Sequence, residues 1–167
     1  MSKTDQNLAA AFAGESQANR KYLAFSKKAE KEGHPQIAKL FRAAADAETV
    51  HAHAHLRVME GVKSTAENLK AAIEGEGAEF KKMYPEFIEQ AMADNNSQAM
   101  ESFQNANSVE KIHHSLYSEY ADALKAGKDP ASIELYVCQV CGNTVEGEPP
   151  DICPICGSPK KQFKKIE

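Results

Sequence analysis

Glu48-Thr-Val-His51 and Glu110-Lys-Ile-His113 each put a carboxylate and an imidazole one helical turn apart. On a helix the two groups share a side and stand close enough to hold one cation between them. One ExxH is weak evidence, because that spacing recurs by chance on exposed helices. Two of them, with one carboxylate at Glu15 and another at Glu76 on separate segments, form the donor set of a carboxylate-bridged dimetal bundle. Glu79, three residues after Glu76, adds a seventh candidate ligand. The five carboxylates lie on the apolar faces of their segments, where an unpaired buried charge is costly. Two multivalent cations relieve that cost and also account for the imidazoles. An oxygen-rich set with only two histidines suits iron or manganese better than a closed zinc site.

A second donor set lies in the tail. All four cysteines fall in the last thirty residues, as Cys138-x-x-Cys141 and Cys153-x-x-Cys156. Disulfides would be spread to staple a whole fold, whereas two CxxC knuckles brought together make a tetrahedral sulfur cage for one metal ion. Four thiolates suit a structural zinc or a redox-active single iron.

Long helices must position the carboxylates. From Thr4 to Leu124 the chain is rich in Ala, Glu, Lys, Gln and Leu and lacks β-branched runs, which predicts four helices. The first runs from about Thr4 to Glu32 and stops at Gly33; the second opens at Pro35 and stops at Gly61. Ser64 and Glu67 form a capping box for the third, which continues to about Asp94, with a kink expected at Pro85. The fourth follows the Asp94-Asn95-Asn96 turn and ends at Gly127. The stripe Ile37, Phe41, Ala44, Glu48, His51, His55, Val58 marks the inward face of the second, and each other helix likewise carries a carboxylate in its stripe. Glu15 to Glu48 and Glu76 to Glu110 repeat at nearly the same separation, and Gly14 and Gly75 precede the first member of each pair. The chain therefore reads as two similar hairpins. Gly75 and Gly77 weaken the helix around Glu76. Tyr22 and Tyr84 follow proposed ligands and are candidates for hydrogen bonding to the site; His53, His55 and His114 are not read as ligands.

Composition limits the alternatives. With 42% hydrophobic and 26% charged residues and a formal net charge of -4, nothing favours a nucleic-acid or anionic-membrane partner. No apolar run approaches the length of a membrane span, and the alanine-based run from Leu8 to Gly14 continues as an amphipathic helix rather than a signal peptide. A cytoplasmic protein is expected. Lys128-Asp129-Pro130 reads as a linker, dividing the chain into a helical domain at 1–130 and a cysteine domain at 131–167.

Taken together, Ala13-Gly14-Glu15-Ser16-Gln17-Ala18, Glu48-x-x-His51, Gly75-Glu76-x-x-Glu79, Met83-Tyr84-Pro85, Glu110-x-x-His113 and the tail from Tyr136 to Phe163 resemble the rubrerythrin family. The resemblance implies a mainly α fold: a ferritin-like four-helix bundle followed by a small rubredoxin-like domain with a four-cysteine metal site. It implies a diiron site with Glu48 and Glu110 bridging, Glu76 and His113 on one iron, and Glu15 with either Glu79 or His51 on the other. Cys138, Cys141, Cys153 and Cys156 would hold a single iron that passes electrons to the pair. The implied activity is reduction of hydrogen peroxide to water in oxidative-stress defence. Electrons would come from a rubredoxin or an NAD(P)H-dependent reductase. An iron-oxidising and iron-storing protein without peroxide turnover is the alternative, and a zinc ribbon in the tail a third reading.

One feature departs from the longest family members. In a ferritin-like bundle the second and third helices run parallel, but the five residues from Gly61 to Thr65 span at most ~18 Å, against ~39 Å for a helix of some 26 residues. Either the bundle is up-down-up-down, or two chains exchange hairpins in a swapped homodimer. The swapped dimer preserves the ligand geometry and is the favoured expectation.

Overall fold

A computed structural model describes residues 2–130 and 132–167. The chain divides into one unit that ends at Lys63 and a second spanning Ser64–Glu167.

The first unit is a helical hairpin of α1 (Lys3–Lys31) and α2 (Pro35–Val58). Ser2 caps α1 reciprocally with Asp5: the Asp5 N–H donates to Ser2 Oγ at 3.1 Å and the Ser2 N–H donates to Asp5 Oδ2 at 2.7 Å. The turn closes on Gly33, whose φ of +80° is open to glycine at little cost. The buried positions are small: Ser26 and Ala29 on α1, and Ala38, Ala45 and Ala52 on α2. Alanines at steps of seven let the two backbones approach closely, and the Asn19 amide ties them by donating to the Ala45 carbonyl at 2.7 Å and to Thr49 Oγ1 at 2.9 Å. The seam is therefore one position round the helix from the expected stripe. Ile37 and Val58 of that stripe stay exposed, as do Leu40 and Val50.

The second unit begins with α3 (Thr65–Ala78), where Ser64 Oγ accepts from the Glu67 N–H and Glu67 accepts from the Ser64 N–H, as the spacing predicts. Replacing Ser64 with alanine is expected to lower stability by about 1 kcal/mol, read as a lower urea midpoint at unchanged slope.

The expected third helix is interrupted. A π-helical turn, Glu79–Met83, separates α3 from α4 (Tyr84–Ala93), and the Tyr84 N–H donates to the Glu79 carbonyl. Pro85 has no N–H to return to the preceding turn, so a widened turn replaces the expected simple kink. The internal repeat records the extra residue. Glu15 and Glu76 are offset by 61 positions, whereas Tyr22 and Tyr84, Phe25 and Phe87, and Phe41 and Phe103 are each offset by 62. One residue is thus inserted between Glu76 and Tyr84, which is what a π-turn accommodates. The aromatic sets superimpose in kind: Phe25 meets Phe41 at 5.6 Å and Phe87 meets Phe103 at 5.5 Å, with Tyr22 and Tyr84 flanking them.

Helix α5 (Ser97–Lys125) packs against α3 and α4. Gly77 is buried where α3 meets α5, and a Cβ there would stand 3.2 Å from the His114 ring. Beyond α5, β1 (Leu135–Cys138), β2 (Thr144–Glu146) and β3 (Phe163–Ile166) form an antiparallel sheet in the order β2-β1-β3. The two CxxC segments fold alike, with Gly142 N–H donating to Cys138 O and Gly157 N–H to Cys153 O, each at 2.9 Å. This small module rests on α5: Gly142 faces Val109, and the Tyr120 hydroxyl donates to Glu146 Oε1 at 2.7 Å.

Candidate functional site

Three clusters of metal-ligating side chains form among the described residues. Within each, one donor atom per residue lies within 4.8 Å of all the others.

The first cluster is Cys138, Cys141, Cys153 and Cys156. Cys138 Sγ is 3.8 Å from Cys156 Sγ and Cys141 Sγ is 3.6 Å from Cys153 Sγ, a separation that fits a tetrahedral ion with metal–sulfur bonds of about 2.3 Å. Hydrogen bonds support the thiolate form. The buried Asn143 amide donates toward Cys153 Sγ at 3.7 Å, and Ser158 Oγ lies 3.3 Å from Cys156 Sγ. Burial alone would raise Cys156, but the Ser158 hydroxyl and N–H together with hydrogen bonding to Cys141 and Cys153 outweigh it and hold that thiol down at about 6. Burial pushes Cys141 the other way, well above the usual thiol range.

The second cluster, in the hairpin of α1 and α2, is Glu15, Glu48 and His51. His51 Nδ1 lies 2.9 Å from Glu48 Oε2; the imidazole is 57% exposed and the carboxylate 18%.

The third cluster is Glu76, Glu110 and His113, from α3 and α5. His113 Nδ1 is 2.9 Å from Glu110 Oε2 and 3.8 Å from Glu76 Oε1, and this imidazole is only 28% exposed. Burial, then the shared hydrogen bond and repulsion with Glu110, then Glu79, push Glu76 up to about 8. Glu79 is raised as well, by burial and by Glu110, with His113 acting in the opposite direction. It belongs to none of the three clusters but stands in the field of the third. Tyr84 also faces the third cluster: burial and the charges of Glu110, Glu79 and Glu76 raise its hydroxyl above the ordinary value. Tyr22 packs on Phe25 and Phe41.

Carboxylates crowded until one holds a proton near neutrality are the signature of a missing countercharge. The donor sets fit iron: oxygen and imidazole in the two helical clusters, thiolate in the tail. Between pH 4.5 and 8 the metal-free fold binds a proton at Glu76 that the unfolded chain does not, so this group's contribution to stability falls as pH rises through that window. The melting temperature of the metal-free protein is expected to be lower at pH 8 than at pH 5.5. A saturating divalent cation is expected to raise it more at pH 8.

His114 is a packing residue, edge-on to Phe80 at 5.3 Å and against Gly77; His53 and His55 join none of the clusters. Gly75 has open space around it, leaving the effect on helix strength read from the sequence. Sequence reasoning missed Thr144. Its Oγ1 lies 2.9 Å from His113 Nε2, a contact between distant parts of the chain that no local spacing announces.

The profile of the rubrerythrin family matches residues 6–121, and that of the rubrerythrin rubredoxin-like domain matches residues 136–164. Rubrerythrin-2 of Clostridium acetobutylicum is 36% identical, covering 94% of this chain and 93% of its own length. Nigerythrin of Nitratidesulfovibrio vulgaris is 34% identical, covering 96% and 85%. Among solved structures, nigerythrin in its partially reduced state aligns with a TM-score of 0.59 at 33% identity, over 99% of this chain and 88% of that one.

Proposed function

Because the chain belongs to the rubrerythrin family, we propose that this oxidoreductase is a peroxidase that reduces hydrogen peroxide to water in oxidative-stress defence. The family pairs a diiron site with a four-cysteine iron site. The observation that carries the proposal is the seating of the four-cysteine module on α5, the helix that bears Glu110 and His113. An iron store needs no electron-transfer centre against its carboxylates.

Residues 1–130 form the diiron module and 131–167 the electron-transfer module. Glu48 and Glu110 would bridge the pair, Glu76 and His113 would hold one iron, and Glu15 with Glu79 or His51 would hold the other. The exchange falls on His51 because it is held at one nitrogen and well exposed, whereas His113 has partners at both nitrogens. The π-turn that begins at Glu79 gives that carboxylate the looser backbone such an exchange requires. When bound, the ferrous pair supplies the two electrons that split the peroxide O–O bond, and two protons complete two waters. Tyr84 keeps its hydroxyl proton, since burial and the nearby carboxylates raise it, and is a hydrogen-bond donor for peroxide oxygen. Electrons reach the cage of Cys138, Cys141, Cys153 and Cys156 from a rubredoxin or an NAD(P)H-dependent reductase. Four cysteines gathered in one metal cage rather than paired in disulfides suit a reducing compartment such as the cytoplasm.

The functional unit is a homodimer that exchanges hairpins. Residues 59–64 between α2 and α3 reach at most about 21 Å, against about 36 Å for α2. A parallel passage from one helix to the next within one bundle is therefore too long for them.

The test is a stopped-flow trace of anaerobically reduced, iron-loaded protein mixed with stoichiometric hydrogen peroxide. Fast return of the iron–thiolate colour together with near-ultraviolet ferric absorption is expected. A colourless product, or reoxidation no faster with peroxide than with oxygen, rejects the peroxidase and points to iron handling or a zinc-bearing tail.

A further inference from the structure

His51 and His113 are equivalent in the internal repeat, yet their surroundings differ. Each presents Nδ1 to the glutamate three residues earlier at 2.9 Å. His113 has a second partner, at Nε2: Thr144 Oγ1 at 2.9 Å. The direction of that bond follows from the hydroxyl's single proton. With that proton given to the Gly142 carbonyl, which can only accept and lies 3.2 Å away, Thr144 Oγ1 is an acceptor toward His113, an assignment that puts the imidazole hydrogen on Nε2. Nδ1 is then the nitrogen that would offer its lone pair to a metal ion held with Glu76 and Glu110.

We propose that Thr144 is the positioning residue that makes His113 a fixed ligand and joins the cysteine cage to the carboxylate cluster. It locks the imidazole tautomer from outside the helical bundle, as partners of metal-bound histidines do. The same hydroxyl continues to Gly142, the residue after Cys141, giving a short bonded route from the cage to the ring. The Tyr120 hydroxyl on Glu146 pins the module one stretch further along α5. The seam is otherwise apolar: Leu116, Tyr117, Tyr120 and Leu135 line a cavity of about 200 Å³ beside the bond. Without the hydroxyl, the Nε2–H loses the acceptor that the structure gives it.

The inference rests on the reading of His113 as a metal ligand through Nδ1, and the experiment separates the two. Fully zinc-loaded protein is diamagnetic, so ¹⁵N-histidine NMR reports both ring nitrogens. In the natural chain, zinc is expected to shift His113 Nδ1 while Nε2 keeps a slowly exchanging proton. Thr144→Val, which keeps shape and loses the hydroxyl, is expected to speed exchange of that proton by about tenfold, and Thr144→Ser to restore it. In the iron-loaded variants, an unchanged iron–thiolate spectrum shows that the cage still folds, while transfer from cage to diiron site slows in Thr144→Val and recovers in Thr144→Ser. Absence of a zinc shift at His113 Nδ1 overturns the ligand reading and, with it, the fixed-ligand role. A normal shift with the same exchange rate in the natural chain and Thr144→Val overturns the role of Thr144 and leaves the ligand reading standing.

Discussion

Replacing Cys153 with serine is expected to abolish the iron–thiolate colour and to lower donor-driven turnover by about a hundredfold, while pre-reduced protein still consumes one equivalent of peroxide. Cys153 is 1% exposed and its Sγ faces both Cys141 and the Asn143 amide. A serine hydroxyl there is a harder donor with a far higher pKa, ill matched to a sulfur cage. The loss is also structural. The module's sheet has three short strands, too little to bury a core of its own, so much of its folding free energy comes from metal binding. Separating the two readouts decides the matter. If single-turnover consumption disappears along with the colour, the cage does more than deliver electrons. If donor-driven turnover survives without colour, electrons reach the carboxylate site by another path and the electron-transfer role of the tail is lost.

The features legible in the sequence were those with local periodicity. The ExxH pairs place their two groups together by helical pitch alone, and both form the expected contact at 2.9 Å. The CxxC knuckles and the Ser64 capping box are equally local. The α1–α2 seam was not, because the residues that make it are alanines. Ala38, Ala45 and Ala52 have little hydrophobic signal of their own, whereas the bulkier Ile37, Leu40 and Val50 beside them stay exposed. Closeness of approach, not side-chain bulk, fixes that seam. The π-turn was present in the sequence as a change of offset between Glu76 and Tyr84. The carboxylates alone record the extra residue, with Glu15 and Glu48 separated by 33 positions and Glu76 and Glu110 by 34, and the aromatic sets place it between Glu76 and Tyr84. Thr144 lay beyond any such reading, because its role exists only once the tail folds back on α5.

The proposed exchange of hairpins has a consequence that no single-chain bundle shares. Neither Glu48→Ala nor Glu110→Ala protein is expected to assemble a diiron site, since each lacks one of the two carboxylates proposed to bridge the irons. Co-expressed in equal amounts, the two variants are expected to recover about a quarter of the natural site content. In a mixed swapped dimer, one site pairs the intact α1–α2 hairpin of the Glu110→Ala chain with the intact second hairpin of the Glu48→Ala chain. The other site inherits both defects. Random pairing makes about half the dimers mixed, each with one good site of two, which gives the quarter. In an up-down-up-down chain that closes its own site, every site carries one defect whatever the mixture, so iron content and peroxide consumption stay at the level of the separate variants. The intact site must also be fed. Its second hairpin comes from the Glu48→Ala chain, and so does the cysteine module resting on that hairpin's α5. Adding Cys153→Ser to the Glu48→Ala chain is therefore expected to silence the recovered donor-driven turnover, while adding it to the Glu110→Ala chain leaves that turnover intact.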